Sequence, residues 1–185
     1  MTFDNENTLH ICKEEVIAAF SNALTKLFEK DAQLFVFDVQ ERAIAARLAM
    51  YLREEFLCLE EHGITIDVEY NRDGKDVKRH HDTDEDGWIA PDIILHQRGS
   101  GENGEYKNDI FYCEMKKNSK SDADDATKVK EQMEERKYKY GIDLYSIGSW
   151  AARLDLYLRS SSTQKSIIRS SFYYEQSCHY LIHNK

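Results

Sequence analysis

Two stretches near the N-terminus carry apolar residues at the spacing of an amphipathic helix. The first predicted helix runs from about Lys13 to Lys30, and the second follows Asp38 and runs to about Glu61. Their predicted buried sides are Val16, Ile17, Phe20, Ala23, Leu24, Leu27 and Phe28 in the first helix, and Ile44, Ala45, Leu48, Leu52, Phe56 and Leu59 in the second. The first helix shows no residue pattern that indicates chemistry, so we interpret it as scaffold.

Alternation and β-prone composition predict three strands after the second helix. In the segment ITIDVEYNR, the apolar side chains Ile64, Ile66, Val68 and Tyr70 alternate with Thr65, Asp67 and Glu69, which is typical of a half-buried strand. The second strand opens at Pro91, the only proline, and the third runs from Asp109 to Met115. The residues between the second and third strands, HQRGSGENGEYKN, contain three glycines and two asparagines. This composition predicts a hairpin loop, so the two strands are expected to pair.

A third helix and further strands complete the pattern. The helix is predicted from about Asp122 to Tyr140, with a thin apolar stripe of Ala126, Val129 and Met133 and with Gly141 ending it. Two buried strands follow, IDLYSIGSW and ARLDLYLR, and the tyrosine-rich tail is expected to add one more strand or a short helix. The order of helix, three strands, helix and strand predicts an α/β (α+β) fold.

Length and composition indicate one domain over residues 1–185. Hydrophobic residues make up 41% of the 185-residue chain and charged residues 32%, and no linker rich in Pro, Ser or Gly divides it. The four cysteines are scattered and form no CxxC pair, so we interpret them as reduced core thiols and not as a zinc site or a disulfide framework. No apolar run approaches 18 residues and no signal-peptide pattern opens the chain, which predicts a soluble, cytoplasmic protein that does not enter membranes.

The formal net charge of −9 limits the possible partners. It argues against a protein that coats nucleic acid nonspecifically, because such binding needs an excess of Lys and Arg. Much of the negative charge is local, in the acidic run from Asp82 to Asp86 and in Asp122, Asp124 and Asp125. A basic cluster remains at Lys116, Lys117, Lys120, Lys128 and Lys130.

Asp92, Glu114 and Lys116 are the strongest candidates for chemistry. Asp92 follows Pro91 where a strand opens, and Glu114 and Lys116 end the strand that is expected to pair with it. Because strand side chains alternate, Glu114 and Lys116 are predicted on one side, close to Asp92. Two carboxylates and a lysine at a strand end suit a divalent cation that handles a phosphate, since Mg²⁺ takes one or two carboxylates together with water and phosphate oxygens.

Pro91-Asp92 followed by Glu114-Met115-Lys116 resembles the PD-(D/E)XK nuclease superfamily. An acid-x-Lys tripeptide also begins at Asp73, Asp76, Glu105 and Glu135, but the Glu114 copy is the one that ends a run of apolar strand residues. The resemblance implies the restriction-endonuclease-like αβββαβ core over about residues 38–150, with a central mixed sheet flanked by helices. The helix at 13–30 and the strand and tail at 152–185 would be additions to that core.

The same resemblance implies a metal-dependent nuclease, and DNA is its expected substrate, ahead of RNA. Asp92 and Glu114 would bind Mg²⁺ or Mn²⁺, the carbonyl of Met115 would join the coordination, and Lys116 would position or activate the attacking water. The expected cutting is structure-selective or weakly sequence-specific, because no helix-turn-helix or zinc-finger pattern is present. A homodimer or a larger complex is also compatible with the sequence.

Glu41 has two interpretations at this stage. As a structural residue, it completes an acid-x-x-Glu pattern with Asp38 that is close to a helix capping box. As a functional residue, it corresponds to a glutamate on the first core helix of many PD-(D/E)XK nucleases that faces the metal. Further candidates are Asp67 and Glu69 on the polar side of the first strand, and Lys128 or Gln132 on the third helix.

Two other hypotheses remain open. The chain could be a nuclease-fold protein without catalysis that acts as an interaction or regulatory module, because an acidic surface can mimic nucleic acid or bind a basic partner. It could also be a structural subunit of a larger complex. The loop at residues 73–89 contains His80, His81, Asp82, Asp84 and Asp86, but it lacks the closing glutamate and flanking helices of a calcium loop, so we interpret it as a polar connection.

Overall fold

The structure is a computed structural model that describes residues 1–5, 7–73, 76–77, 90–99, 108–117, 123–148, 151–159, 167–173 and 183–184. The helices are α1 (Lys13–Lys30), α2 (Gln33–Val36), α3 (Glu41–Glu55) and α4 (Ala123–Glu135), with a 3-10 helix at Leu57–His62. The strands are β1 (Thr2–Phe3), β2 (Leu9–His10), β3 (Ile64–Asp67), β4 (Arg72–Asp73), β5 (Asp76–Val77), β6 (Ile93–Gln97), β7 (Phe111–Lys117), β8 (Tyr140–Ile147), β9 (Ala151–Leu158), β10 (Ile167–Tyr173) and β11 (His183–Asn184).

One seven-stranded sheet has the order β11-β10-β9-β8-β7-β6-β3. The strands β7 and β8 run parallel, with α4 between them in the chain, and the other neighbouring pairs are antiparallel. A parallel pair needs such a crossover because its two strands begin at the same edge of the sheet. The predicted pairing of the Asp92 and Glu114 strands is confirmed, since Ile93 lies opposite Cys113 in an antiparallel ladder.

Each face of the sheet is covered by helix. On the first face, α1 and α3 bury Phe20, Leu24 and Leu48 against sheet residues such as Phe111. On the second face, the side chains that pack together come from three strands, from α4 and from the chain that follows it, namely Ile94, Tyr112, Tyr157, Val129, Met133 and Tyr138. The prediction of an α/β fold with a mixed sheet flanked by helices, and with an extra N-terminal helix, is confirmed.

Gly141 has a different role from the predicted one. The helix α4 ends at Glu135, and Gly141 lies inside β8. A Cβ atom at Gly141 would lie 2.4 Å from Met133 Sδ and 2.4 Å from Val129 Cγ1. The glycine is therefore needed because α4 packs directly on the backbone of β8, and the prediction that it ends the helix is wrong.

Two other predicted boundaries are also too long. The helix α3 ends at Glu55 and continues only as the 3-10 helix, although the predicted buried residues of this segment, including Phe56 and Leu59, are buried. The strand β3 ends at Asp67, because Glu69 has a φ of +48°, outside the extended region. Val68 is consequently 41% exposed and does not continue the predicted apolar face.

The rest of the chain matches the sequence prediction in part. The tail contributes β10 and β11 to the sheet. Among the described cysteines, Cys113 is buried, whereas Cys12 and Cys58 are exposed, so the prediction of core thiols is wrong for these two. No helix within the described residues is long and apolar enough to cross a membrane.

Candidate functional site

The candidate site forms where β7 extends past the end of its neighbour β6. The first residue of β6, Ile93, pairs with Cys113, so the β7 residues Met115 and Lys117 lie beyond the paired part of the ladder. Backbone N–H groups that leave a ladder need another acceptor. Carboxylates supply it here, since the N–H of Met115 donates to Asp92 Oδ2 at 2.7 Å and the N–H of Lys117 donates to Glu41 Oε2 at 2.6 Å.

The register of the sheet places Asp92 beside Glu114. The ladder ends with Ile93 opposite Cys113, so Asp92 and Glu114 each lie one residue beyond the same end of it. The Asp92 carboxylate also binds the N–H of Met115, the residue that follows Glu114. Glu114 is half-buried, and its Oε1 accepts a hydrogen bond from the Tyr112 hydroxyl, two residues earlier on the same side of β7. The predicted pair of acids is therefore adjacent.

Crowding of acids changes the protonation of Asp92. Its pKa is raised from 3.8 to about 6, and burial is the largest cause, whereas the hydrogen bond from the N–H of Met115 lowers the pKa. The negative charges of Glu41 and Glu69 also contribute to the raised pKa, and the positive charge of Lys116 opposes it. Three charged side chains, Glu41 of α3, Glu69 after β3 and Lys116 of β7, therefore act on the Asp92 carboxyl.

Glu69, a secondary candidate, is brought to this cluster by the irregular end of β3. Its backbone N–H donates to the carbonyl of Pro91 at 2.8 Å, which fixes it beside Asp92 in the chain that precedes β6. Its carboxylate forms an ion pair with Arg42 on the first turn of α3. The positive φ that ends β3 is therefore also the feature that places this glutamate at the site.

Glu41 contributes to the strand end and not to a capping box. Gln40 is the N-cap residue of α3 and makes no side-chain capping bond. Glu41 instead binds the N–H of Lys117, and Asp38, the other half of the proposed box, accepts from Lys117 Nζ at 2.7 Å. The capping-box interpretation of Glu41 is wrong.

The two lysines of β7 serve opposite sides of the strand. Lys117 Nζ reaches the segment that precedes α3, where it donates to Asp38 and to the carbonyl of Val39 at 2.5 Å. The ladder between β7 and β8 is irregular between Met115 and Lys117. Lys116 acts on Asp92, so its charge lies on the site side of the strand, together with the Asp92 and Glu114 carboxylates.

Asp67 is placed close to the site but is committed to other partners. Its Oδ2 lies 3.0 Å from His96 Nε2 and accepts from Arg98 Nε at 2.7 Å, while its Oδ1 binds the Arg98 guanidinium. These hydrogen bonds lower its pKa to about 2, although burial opposes the shift. Asp67 therefore links the paired strands β3 and β6 on the second face of the sheet.

The two candidates on α4, Gln132 and Lys128, differ in burial. Gln132 is fully buried, and its Oε1 accepts from Arg136 Nε at 2.9 Å, which is an arrangement within the helix. Lys128 is exposed. The loop residues His80, His81, Asp82, Asp84 and Asp86 lie outside the described residues.

Two buried acids, Asp143 and Asp155, continue the row of carboxylates and were missed by sequence analysis. Glu114 lies opposite Asp143 on β8, and Asp143 lies opposite Asp155 on β9. They are only 1% and 5% exposed. A single acid inside each of the apolar runs IDLY and RLDLYL was the available signal, because buried Asp is rare without a specific partner.

The arrangement fits a divalent cation that shares its coordination with a phosphate. Within the described residues, no three His, Cys, Asp or Glu side chains form a metal-binding group on their own. Mg²⁺ usually takes only one or two carboxylates, with water and substrate oxygens as the other ligands. Asp92 and Glu114 supply that number, and a cation there would offset the negative charges of Glu41 and Glu69, which contribute to the raised pKa of Asp92 after burial.

Comparison with known proteins adds no relative to this picture, since no family model, no curated protein and no solved structure matches the chain.

Proposed function

We propose that the protein is a metal-dependent nuclease that hydrolyses phosphodiester bonds of DNA, with structure-selective or weakly sequence-specific cutting. The observation that carries the proposal is that Asp92 and Glu114 lie together where β7 extends beyond the end of β6. The positive charge of Lys116, on the same strand as Glu114, acts on Asp92. An acid pair of this kind and a cation from the same strand are the groups that phosphoryl chemistry requires.

The order and direction of the strands support a restriction-endonuclease-like core. Helix α3 precedes the antiparallel strands β3, β6 and β7, and α4 connects β7 to the parallel strand β8. This is the αβββαβ order, with its four strands adjacent in the sheet as β3-β6-β7-β8. The acids of the candidate site lie at the end of the central pair, where the proposed core would hold them.

In this proposal Asp92 and Glu114 hold Mg²⁺ or Mn²⁺, with the Met115 carbonyl as a further ligand, and Glu41 completes a second metal position. The bound ion would lower the pKa of its water and neutralise charge on the phosphate. Asp92 must be ionised to bind it, so the metal competes with the proton that the crowded acids favour.

Lys116 has the role of a positioning cation. An ammonium group beside the acid pair can orient the attacking water and stabilise the negative charge that develops on the phosphate. Its neighbour Lys117 is committed to Asp38 and Val39 and supports the strand end instead. The two residues therefore offer a matched pair for separating catalysis from folding.

A cleavage assay tests the proposal directly. Single-stranded, duplex and branched DNA, and RNA, would be incubated with Mg²⁺, Mn²⁺ or EDTA, with Asp92→Ala and Lys116→Ala as test variants. Arg53→Ala serves as the control, because Arg53 pairs with Glu60 at the far end of α3. The expected result is metal-dependent cutting of DNA that both test variants abolish, with the control unchanged and all folds retained by circular dichroism.

If nothing is cut, Mg²⁺ binding would be measured by calorimetry. Absence of both cutting and metal binding would refute the nuclease and favour the non-catalytic interaction module, for which the net charge of −9 is the supporting observation. A defined, reproducible cut site on plasmid DNA would contradict the weak specificity.

A further inference from the structure

A cleft lies on the same face of the sheet as the candidate site, over β8, β9 and β10. It has a volume of about 400 Å³, within the range of ligand pockets. The side chains that line it include two arginines, two tyrosines, an aspartate and a serine, namely Arg153, Arg169, Tyr145, Tyr173, Asp155 and Ser171. A concave surface with cations and aromatic rings has the composition of a site that tracks a nucleic-acid strand.

The register of the sheet connects this cleft to the candidate site. The row of side chains that begins with Asp92 and Glu114 continues through Asp143 and Asp155 and ends at Arg169 on β10. Adjacent strands are about 4.8 Å apart, so Asp155 lies about 10 Å and Arg169 about 14 Å from Glu114. The cleft is thus within a few nucleotides of the position where a phosphodiester would be cut.

The two arginines differ in their ion pairs with described residues. Arg169 is bound through Nε to Asp155 Oδ2 at 3.3 Å, its side chain is 70% exposed, and a guanidinium carries further donors that point in other directions. Arg153 lies opposite Tyr145 and is exposed, and no described carboxylate lies within ion-pair distance of it. Both side chains therefore present positive charge to the cleft, in a protein whose net charge is negative.

The two tyrosine rings of the cleft differ in solvent exposure. Tyr145 is half-buried, and its hydroxyl donates to Asp155 Oδ1 at 3.4 Å. Tyr173, at the end of β10, is 44% exposed. An exposed ring next to exposed guanidinium groups suits stacking of an unpaired base, because base stacking on aromatic side chains is tolerant of sequence.

We propose that this cleft binds a single-stranded segment of nucleic acid, with its phosphates on Arg153 and Arg169 and a base stacked on Tyr173. The proposal deepens the proposed nuclease function and rests on it for the direction of the strand towards Asp92 and Glu114. A single strand is the occupant because stacking on Tyr173 requires a base that is not paired with another. The substrate class is therefore DNA with an unpaired segment next to the cut.

Binding can be measured apart from cutting by fluorescence anisotropy of labelled oligonucleotides on a Lys116→Ala background, in Mg²⁺ and in EDTA. Arg153→Ala and Arg169→Ala are each expected to weaken binding of a single strand about tenfold. Each should reduce the slope of log affinity against log salt by about 0.7, the value for one phosphate contact on a single strand. Tyr173→Ala should weaken binding at least fivefold, and Tyr173→Phe should retain it.

Arg53→Ala is the control, because it also breaks an exposed pair of Arg and acid but lies outside the cleft. Arg153→Ala is the decisive variant, since no ion pair with a described carboxylate is lost with it. Tighter binding of duplex than of single strand, or unchanged affinity in the Arg153 and Tyr173 variants, would overturn the cleft.

The outcomes separate this inference from the proposed function. If the wild type cuts DNA and the cleft variants bind oligonucleotides with unchanged affinity, the nuclease proposal stands and the cleft proposal is refuted. Weakened binding in those variants without cutting by the wild type would leave the cleft and refute the nuclease. Failure of every oligonucleotide both to bind and to be cut would refute both.

Discussion

The backbone N–H of Met115 donates a hydrogen bond to the Asp92 carboxylate at 2.7 Å, in a setting that disfavours the charge of that carboxylate. The hydrogen bond needs only an oxygen acceptor, which asparagine also provides. Asp92→Asn is therefore expected to abolish metal-dependent cutting and to raise the free energy of unfolding at pH 7.5, by on the order of 1–3 kcal/mol. Urea unfolding would measure it. Asp92→Ala, which loses the acceptor, should gain less or be destabilised, and a destabilised Asp92→Asn protein would contradict the argument.

The raised pKa of Asp92 predicts a particular dependence of stability on pH. The carboxyl titrates near pH 3.8 in the unfolded chain and near 6 in the folded one, so the folded protein binds more protons between these values. Its contribution to stability is fully present below about pH 4 and is lost as the pH rises to about 6. The difference in unfolding free energy between the wild type and Asp92→Asn should change across this window, and two parallel curves would contradict the shift.

Glu41 is expected to act through both its oxygen and its charge. Glu41→Gln keeps an acceptor for the N–H of Lys117, whereas Glu41→Ala leaves that group without it and should lower stability by about 1–2 kcal/mol. Both variants should also lower the pKa of Asp92, because the negative charge of Glu41 raises it. We expect both to reduce cutting at least tenfold. Normal cutting by Glu41→Gln would assign Glu41 to the strand end alone.

Substitutions of the two lysines of β7 are expected to affect different properties, cutting for Lys116 and stability for Lys117. Lys116→Met should reduce cutting at least a hundredfold with little loss of stability, because its charge acts at the acid pair. Lys117→Met should lower stability by about 1 kcal/mol and largely retain cutting, because its ammonium group binds Asp38 and Val39. Cleavage rates and thermal unfolding of both proteins would be compared, and the reverse pattern would exchange their roles.

Gly141→Ala is expected to destabilise the protein by about 1–3 kcal/mol, since its Cβ would overlap Met133 and Val129 of α4. The effect should be smaller on a Val129→Ala background, where space is available. Chemical unfolding of the single and double variants would test this coupling. Strict additivity would show that α4 moves away freely.

Sequence analysis predicted the elements whose apolar spacing is long and regular. The helix α1 has the predicted bounds, and the pairing of β6 with β7 follows from the loop composition between them. It predicted too long a strand at Val68, because alternation says nothing about the positive φ of Glu69. It misjudged Gly141 because a glycine after a helix and a glycine under a helix look the same in a sequence.

The residues of the candidate site that lie at strand ends were predictable from the sequence. The residues that join them through the register between strands were not. Asp92 and Glu114 could be paired from the hairpin pattern, and the structure places them adjacent. The neighbours Asp143 and Asp155 depend on how β8 and β9 align with β7, and a parallel pair connected through α4 carries no local sequence signal of its register. Glu41 was a candidate, but its bond to Lys117 spans 76 positions in the chain and has no local signal.

That separation of 76 positions also governs when the site can exist during synthesis of the chain. Closing so long a loop is slow compared with forming a helix, and β7 is secured on its other side only by a parallel strand that follows α4. A nascent chain that has not yet released β8 therefore lacks the strand that pairs with this side of β7. We expect the acid cluster to be absent from every partly folded form of the chain, so that the chemistry is available only once the whole sheet has closed.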